Sequence, residues 1–344
     1  MSDAGREDIK ALGREELGRA LSGLGQPAYR TGQILAWLHA RGVRSFDEMT
    51  DLPAALRAEL AGRFDVNVPS LAECQVSRDG TRKYLWRLAD GVTVESVGLP
   101  ESDRLTVCFS TQAGCAMGCA FCATGRGGLV RDLVAGEMVD QVRLVAEDLG
   151  VRATGAVAMG QGEPFANYDA TLAALRLMNS PDGLGIGARH LTVSTCGLPE
   201  RIRAFASEPE QFTLAISLHS AVQATRDSLM PGVAGIPLGD LRRAVADYAD
   251  RTGRRPTFEY ALVGGVNDSA GELRALVAFC SGSLCHVNLI PANPVEGSGL
   301  RRAPADRGRV FAEALARAGV ETSLRRERGA DIDAACGQLR QRSG

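Results

Sequence analysis

The sequence lacks several features that would assign it to a simple class. No run of about 18 apolar residues occurs, so we expect no membrane span. The first residues are polar and charged, which predicts no signal peptide and a cytoplasmic protein. The net charge of −2 gives no overall excess of positive charge, so nucleic-acid binding would need local basic patches. Low-complexity segments and internal repeats are also missing, which leaves an ordinary globular composition.

The most informative absence is a fourth cysteine near the clustered Cys115, Cys119 and Cys122. Most structural zinc sites combine two cysteine pairs, so the missing second pair disfavours zinc. Electron-carrying [4Fe–4S] clusters take four thiolates, whereas three leave one iron open to another ligand. The incomplete set therefore predicts an iron–sulfur cluster that binds a substrate at its open iron. A zinc loop with a distant fourth ligand, or three unrelated buried thiols, are the alternatives.

The hydrophobic pattern changes along the chain. Residues 1–66 carry apolar residues at helical spacing and predict a small helical accessory domain. Residues 67–103 alternate apolar and polar positions and predict a β-rich connecting segment. In residues 104–324 short β-like runs alternate with longer helical stretches, which predicts an α/β fold with a partial (β/α)6 barrel. Residues 325–344 form a C-terminal segment. The runs predicted as barrel strands lie near 104–110, 154–160, 190–196, 213–219, 256–263 and 284–291.

Small and polar residues share one face of each predicted barrel strand. In the first strand, Thr106, Cys108 and Ser110 alternate with large apolar residues. A sheet that is covered by helices on one side and encloses a polar cavity on the other would show this division. Because reactive groups gather at the C-terminal ends of barrel strands, we expect the site at the end where the cysteine loop follows the first strand. An antiparallel sheet with one solvated face is disfavoured by the intervening helices.

Groups suited to holding a ligand follow other predicted strands. Gly162 permits close backbone approach, and the carboxylate of Glu163 can accept hydrogen bonds from an ammonium group. Further candidate ligand contacts at strand ends are Ser194, Ser217, His219 and Asn293.

Two cysteines outside the cluster are candidates for reactive thiols. Cys108 faces the predicted cavity, and Cys336 lies among small residues that would allow an open, mobile reactive loop. From the residues alone, burial as small hydrophobic thiols is the favoured interpretation of both. The remaining cysteines, which we interpret as ordinary buried thiols, are Cys74, Cys196, Cys280 and Cys285.

The C-x-x-x-C-x-x-C spacing resembles that of the radical S-adenosylmethionine (SAM) superfamily, in which the open iron binds the methionine part of SAM. From about residue 27 to 341 the chain also resembles the bacterial radical-SAM adenine-C2 methyltransferases of 23S rRNA and tRNA, the RlmN family. The strings that carry the resemblance are Val94–Val97, Cys108–Cys122, Gly162–Pro164, Ser194–Thr195, Ser217–Ser220, Thr257–Tyr260, Gly265–Asp268, Val287–Pro291 and Arg328–Gln338.

The resemblance implies roles that the residues alone leave open. Cys336 would be the methyl-carrying cysteine, Cys108 the resolving cysteine and Glu95 an active-site acid/base. One [4Fe–4S] cluster would be bound by Cys115, Cys119 and Cys122. The implied contacts to SAM are Gly162, Glu163, Ser194, Ser217, Leu218, His219 and Asn293.

In the mechanism that the family implies, one SAM methylates the thiolate of Cys336. A second SAM is cleaved to a 5′-deoxyadenosyl radical, which takes a hydrogen atom from the S-methyl group, and the methylene radical adds to carbon 2 of adenine. Attack by Cys108 then frees the RNA and leaves a disulfide that must be reduced. The resemblance also implies 23S rRNA and tRNA as partners, an external electron donor such as flavodoxin, and a monomer.

Three alternatives remain at this point. The sister activity methylates carbon 8 of the same ribosomal adenosine, although it tends to have Ala where this chain has Pro164. A radical-SAM enzyme of a small molecule would leave Cys108 and Cys336 unused, and an electron-transfer protein would need a fourth thiolate. The chain departs from the family pattern at Gln161, where Met is common, at Cys196, where Ser is more usual, and at Gly232–Val233.

RNA contacts have the weakest signal in the sequence. Arginines near Cys336 and in the helical region are candidates for phosphate contacts, with solvated surface charge as the alternative. The helical region is a possible RNA clamp. The candidate arginines are Arg41, Arg44, Arg325, Arg326, Arg328, Arg340 and Arg342.

Overall fold

The structure is a computed structural model that describes residues 6–293, 295, 297–325 and 327–339. The strands are β1 (Glu7–Asp8), β2 (Phe64–Asp65), β3 (Ser70–Val76), β4 (Arg82–Arg87), β5 (Thr93–Glu101), β6 (Arg104–Cys108), β7 (Gln112–Gly114), β8 (Leu129–Asp132), β9 (Gly155–Ala158), β10 (Leu191–Thr195), β11 (Thr213–Ser217), β12 (Thr257–Leu262), β13 (His286–Pro291) and β14 (Glu321–Leu324). The α-helices are α1 (Arg14–Gly23), α2 (Tyr29–Leu35), α3 (Ala54–Arg63), α4 (Ala123–Arg126), α5 (Ala135–Leu149), α6 (Tyr168–Asn179), α7 (Pro199–Phe205), α8 (Gln223–Leu229), α9 (Leu238–Thr252), α10 (Ala270–Cys280) and α11 (Ala305–Arg317).

One large sheet organises the described residues. Its strand order is β14-β13-β12-β11-β10-β9-β6-β5-β4-β3. From β6 to β14 the neighbours are parallel and are connected by helices, as right-handed βαβ crossovers require. From β3 to β6 the neighbours are antiparallel, so the β-rich connecting segment extends the same sheet. The predicted α/β fold with a partial barrel is confirmed.

All six predicted barrel strands are present as β6 and β9 to β13. A further parallel strand, β14, pairs with β13 at the sheet edge and was not predicted. Its four residues, Glu-Thr-Ser-Leu, are mostly exposed and carry no long apolar run. Its place depends on the neighbouring β13, which periodicity in its own segment does not reveal.

The two faces of the barrel strands differ as the alternation predicted. Leu105 and Val107 of β6 are fully buried in the apolar core, whereas Thr106 and Cys108 on the other face are only half-buried. Helix α5 packs on β5 and β6 and closes the apolar side. No helix in the described part of the chain combines the length and the apolar composition that crossing a membrane requires.

The N-terminal region consists of α1, α2 and α3 with short turns between them. Each helix buries its apolar stripe, which includes Leu17, Leu21 and Leu60, as the helical spacing predicted. A buried ion pair joins this region to the barrel, with 2.8 Å between Lys10 Nζ and Asp140 Oδ2 on α5.

Candidate active site

The cysteine loop follows β7 at the C-terminal end of the barrel strands, as predicted. Neighbouring segments fix its backbone. The Cys115 N–H donates to Gly128 O at 2.8 Å, the Ala120 N–H donates to Leu229 O at 2.9 Å, and Met117 O accepts from the Gly232 N–H at 2.8 Å. The loop therefore has a set shape before any ligand is bound.

The three clustered thiols open into one cavity, which we call the inner cavity. All three are free thiols. In the described ranges no group of three His, Cys, Asp or Glu side chains is arranged to hold a single metal ion. Three unpaired thiols on one wall provide the donor set of a [4Fe–4S] cluster with an open iron. The other functional side chains that line this cavity are Glu163, Ser194, Cys196, Ser217, His219, Glu259, Asn293, Arg325 and Cys336.

Glu163 lies in the floor of the inner cavity after β9. One carboxylate oxygen accepts from the Phe165 N–H at 2.9 Å and the other accepts from the Cys196 N–H at 2.6 Å. Burial raises the pKa of Glu163. Gly162 has a φ of +103°, and a Cβ there would lie 2.6 Å from the Cβ of Gln112. Only glycine fits this position, which brings bare backbone to the cavity beside the carboxylate.

The ends of β10, β11 and β13 bring most of the remaining predicted SAM contacts to the same cavity. Ser194, Ser217, His219 and Asn293 all line it. Leu218 does not, because its side chain is fully buried in the apolar core, so a contact with a ligand would go through its backbone.

His219 is a neutral hydrogen-bonding group in this arrangement. Its Nδ1 accepts from the Ala261 N–H at 3.0 Å, so the neutral ring carries its proton on Nε2. Burial, with a smaller effect of Arg226, lowers its pKa to about 3. The ring meets Phe121 edge to face, with 4.4 Å between the ring centroids. The aromatic residue before Cys122 thus packs on a cavity wall opposite the cysteine loop.

A second cavity, the outer cavity, adjoins the inner one and holds both cysteines outside the cluster. Cys108, Cys336, Arg325 and Arg328 are among its lining residues, and Cys336 and Arg325 belong to both cavities. Burial, and then the neighbouring Cys336, raise the pKa of Cys108 to about 12. Cys108 is therefore a protonated thiol at neutral pH in this arrangement.

The Cys336 segment, residues 327–339, crosses the barrel mouth with little regular structure. Near the cluster loop, Gly337 O accepts from the Ala123 N–H and Leu339 O accepts from the Thr124 hydroxyl, both at 2.7 Å. Asn293 Nδ2 donates to Cys336 O at 3.1 Å. Gly337 has a φ of +83°, and a Cβ there would lie 2.8 Å from Phe121 O, so this close approach requires glycine.

The far end of the Cys336 segment is tied to the turn between β3 and β4. The Ser77 hydroxyl donates to Asp331 Oδ1 at 2.5 Å, and the Gly329 N–H donates to Asp79 Oδ2 at 3.0 Å. The sequence suggested an open, mobile reactive loop. The structure instead anchors this segment at both ends.

Glu95 lies on β5, is 1% exposed, and is not among the residues that line the inner or the outer cavity. Its Oε1 is 4.0 Å from Lys83 Nζ on β4. Its backbone is held on both sides: Gln161 Oε1 accepts from the Glu95 N–H at 3.2 Å, and the Ser110 hydroxyl donates to Glu95 O at 2.6 Å. Gln161, where the family commonly has Met, thus contacts the predicted acid/base directly.

The interpretation of Cys196 as an ordinary buried thiol needs correction. Cys196 lines the inner cavity and packs in the apolar cluster that contains Cys119, because β10 ends at the same barrel mouth. Arg325 lines both cavities beside Cys336 and Glu259, and its contact with phosphate stays a prediction.

The other candidate phosphate contacts differ in whether their guanidinium groups already contact other residues of the chain. Arg328 donates to Pro100 O at 2.7 Å, and Arg41 stacks over Trp37. Arg44 is exposed. Arg326, Arg340 and Arg342 lie outside the described residues.

Sequence reasoning missed two charged residues next to the site. Lys83 contacts Glu95 and the Cys336 segment, and Arg226 contacts Cys196, which lines the inner cavity. Arg226 is fully buried on α8 and donates to Cys196 O at 2.5 Å. The alternation in β4 carried a usable signal for Lys83, because it places a charged residue on the face that bears Glu95 once β4 and β5 pair.

Comparisons with known proteins agree with this geometry. The profile described as the ribosomal RNA large subunit methyltransferase N-terminal domain matches residues 8–66, and that of the Radical SAM superfamily matches residues 109–277. Proteins named "Probable dual-specificity RNA methyltransferase RlmN" are 46% identical in Symbiobacterium thermophilum and 47% identical in Pelotomaculum thermopropionicum. These matches cover 99% and 98% of this chain and 93% and 92% of the relatives.

A solved structure shows the same fold over nearly the whole chain. It is a radical SAM methyltransferase from Sphaerobacter thermophilus, 43% identical, with a TM-score of 0.91. The match covers 98% of this chain and 100% of that one.

Proposed function

This chain belongs to the RlmN family of radical SAM RNA methyltransferases, and on that premise we propose that it methylates carbon 2 of adenosine in 23S rRNA and tRNA. Its cofactors are SAM and one [4Fe–4S] cluster bound by three cysteines. The observation that carries the proposal is the shared position of Cys108 and Cys336 in a cavity that adjoins the one containing the three clustered thiols. A cytoplasmic location follows from these RNA substrates.

We assign the cluster ligands to Cys115, Cys119 and Cys122. Gly162, Glu163, Ser194, Ser217, Leu218, His219 and Asn293 are the proposed contacts to SAM. When bound, the reduced cluster would supply one electron to SAM, and the adenosyl part released from SAM would take a hydrogen atom from an S-methyl group. Glu163, which two backbone N–H groups fix, is the proposed acceptor for the SAM ammonium group.

Cys336 is the proposed methyl carrier. It lies where the two cavities meet, so a methyl group received in the inner cavity can be presented to a base that enters the outer one. Arg325 lines both cavities beside it and brings a positive charge to this point. Carbon 2 of adenine is electron-poor, and the covalent carrier divides a transfer that direct displacement cannot achieve into feasible steps.

Release of the RNA requires the other two residues. Radical addition leaves the adduct with one electron more than the closed-shell product, and the oxidised cluster would be the acceptor for that electron. Glu95 takes the proton from carbon 2, and the sulfur of Cys108 attacks the sulfur of Cys336. The carbon–sulfur bond to the RNA breaks, its electron pair and a proton go to the carbon that becomes the methyl group, and the two sulfurs form a disulfide. An external thiol reductant must then reduce that disulfide. Because Cys108 is protonated at neutral pH, its thiol must lose a proton for this attack.

The helical N-terminal region is the proposed RNA clamp, and an external protein such as flavodoxin is the proposed electron donor. We propose that the enzyme is a monomer.

The test uses anaerobically reconstituted protein, SAM, a reductant and a 23S rRNA fragment or tRNA, followed by nucleoside mass spectrometry. We expect 2-methyladenosine with the unchanged chain and none with Cys336→Ala, which should keep its cluster. A peak of 8-methyladenosine would move the enzyme to the sister activity. Cleavage of SAM without methylation of either RNA would contradict the RNA assignment.

A further inference from the structure

The use of lysine in this chain is unusual. The sequence holds 39 lysines and arginines together, and only Lys10 and Lys83 are lysines. Lysine normally lies at the surface with its charge in water. Here the side chains of both lysines are buried, at 1% and 4% exposure, and both contact carboxylates. The chain thus uses arginine wherever a basic group is solvated and lysine only at two interior positions.

Lys10 joins the N-terminal region to the barrel, whereas Lys83 contacts Glu95 and the Cys336 segment. Its Nζ is 4.0 Å from Glu95 Oε1 and donates to the backbone oxygen of Asp333 at 3.2 Å. Asp333 belongs to the Cys336 segment, three residues before the proposed methyl carrier. One ammonium group therefore contacts both the proposed base and the segment that carries the methyl group.

The geometry favours a compact cation at this position. An ammonium group offers donors in several directions around a single atom, whereas the planar guanidinium is larger and spreads its donors over a fork. A buried charge costs free energy unless it is paired and hydrogen-bonded, so a purely apolar residue would be the simpler filling for this space. A lysine on β4 that contacts both β5 and the Cys336 segment therefore points to a role in the reaction.

We propose that Lys83 is a positioning residue that holds the Glu95 carboxylate and the Cys336 segment in one arrangement. The inference rests on the proposed function and deepens it. The Glu95 backbone is already fixed by Gln161 and Ser110, so its side-chain torsions are what Lys83 controls. Lys83 also brings a positive charge to 4.0 Å from the Glu95 carboxylate.

The first test measures the share of enzyme trapped as a covalent RNA adduct in single turnover, on denaturing gels and by mass spectrometry. Lys83→Met should leave cluster content and SAM cleavage in place and should raise the trapped share about tenfold, as loss of a charge-assisted contact allows. Glu95→Gln provides the reference for failed proton removal. Lys10→Met is the matched control, because it also breaks a buried lysine–carboxylate pair, but one far from the site.

The second readout does not depend on activity. Hydrogen exchange of the apoprotein should increase within residues 331–336 in Lys83→Met and stay unchanged there in Lys10→Met. Lys83→Arg restores the charge with a different shape, and we expect it to recover part of both effects.

The double variant Lys83→Met/Glu95→Gln keeps the proposal testable if Lys83→Met folds poorly, because removing both members of a buried pair costs less than removing one. If the two residues act as a unit, the double variant should trap no more adduct than Glu95→Gln alone. Additive trapping would overturn the proposal.

Two further outcomes separate the inference from the function on which it rests. If Glu95→Gln traps adduct and Lys83→Met only lowers thermal stability as Lys10→Met does, Lys83 is structural and the inference fails alone. If Glu95→Gln traps no adduct, the proposed role of Glu95 fails and the inference fails with it.

Discussion

The inner cavity and the Cys336 segment are held together by different kinds of contact. Residues of the inner cavity lie at the ends of parallel strands, whose backbone ladders fix them to one another. The Cys336 segment has only a short 3₁₀ turn, and separate hydrogen bonds tie it to the cluster loop, to Asn293 and to the turn between β3 and β4.

The difference matches what each part has to do. The residues around SAM need one fixed geometry, because the reacting atoms must stay aligned. Cys336 must meet three partners in turn: the methyl group of SAM, the adenine ring and Cys108. Separate hydrogen bonds can be released a few at a time, whereas a strand ladder opens only as a unit. We therefore expect substitutions in the inner cavity and substitutions that affect the Cys336 segment to impair the reaction at different steps.

The largest loss of activity should come from a substitution among the cysteines that line the inner cavity. Cys119→Ala removes one of three proposed cluster ligands, and two thiolates do not hold the cluster in its open-iron form. Iron and sulfide content and the electron paramagnetic resonance signal after reduction should fall to background, together with SAM cleavage. A variant that kept a full cluster would show that another group, such as the adjacent Cys196, takes over as ligand.

Cys108→Ala should stop the cycle at the step in which Cys336 is released from the RNA, and it should leave the inner cavity intact. SAM cleavage and methylation of Cys336 should continue, and RNA should remain attached to the protein because the attacking sulfur is missing. Denaturing electrophoresis of protein with labelled RNA detects the adduct. Normal multiple turnover in this variant would rule out the resolving role.

A smaller effect is expected when one anchor of the Cys336 segment is weakened. The Ser77 hydroxyl holds the pKa of Asp331 below its usual range. A depressed pKa in the folded state means that the anchor is fully present above the unfolded value of about 4 and is lost as the pH falls through the lower pKa of the folded state. Between pH 6 and 8 the protection of this segment against hydrogen exchange, relative to the intrinsic rate at each pH, should therefore stay constant.

Asp331→Asn tests the same anchor at neutral pH. It should increase hydrogen exchange in residues 329–337 while the cluster content stays the same. Asp306→Asn, at the exposed start of α11, is the control. Equal exchange in the two variants would mean that the contacts with the cluster loop alone hold the segment.

The smallest effect should come from Gln161→Met, which introduces the residue common in the family. Gln161 Nε2 is buried with no hydrogen-bond partner among the described residues, so its removal relieves a cost. The substitution also removes the acceptor of the Glu95 N–H, and the loss of that hydrogen bond destabilises the fold. The two changes should nearly cancel, within about 1 kcal/mol of unfolding free energy and about twofold in turnover. A tenfold loss of turnover with unchanged Tm would show that Glu95 needs this contact.

The sequence predicted the positions in the inner cavity better than the contacts of the Cys336 segment. The cysteine trio, Glu163 and the polar strand ends follow from local spacing and from the rule that barrel sites lie at C-terminal strand ends. The contact of Lys83 with Asp333 and the place of Arg325 in both cavities arise across the barrel mouth, which no local pattern contains. Cys196 looked like a small hydrophobic residue because its position near Cys119 arises only when β10 ends beside the loop.

The Cys336 segment leaves β14 at one edge of the sheet and reaches the turn between β3 and β4 at the other edge. Ser77 and Asp331, which meet there, are 254 positions apart in the chain. Contacts between such distant positions pay the largest loop-closure entropy and form late in folding. The cluster loop and the barrel strands around it should therefore assemble while the mouth is still uncovered. Pulse-labelled hydrogen exchange during refolding should show protection in β9 to β12 before residues 329–337, leaving a period in which the cluster can be inserted.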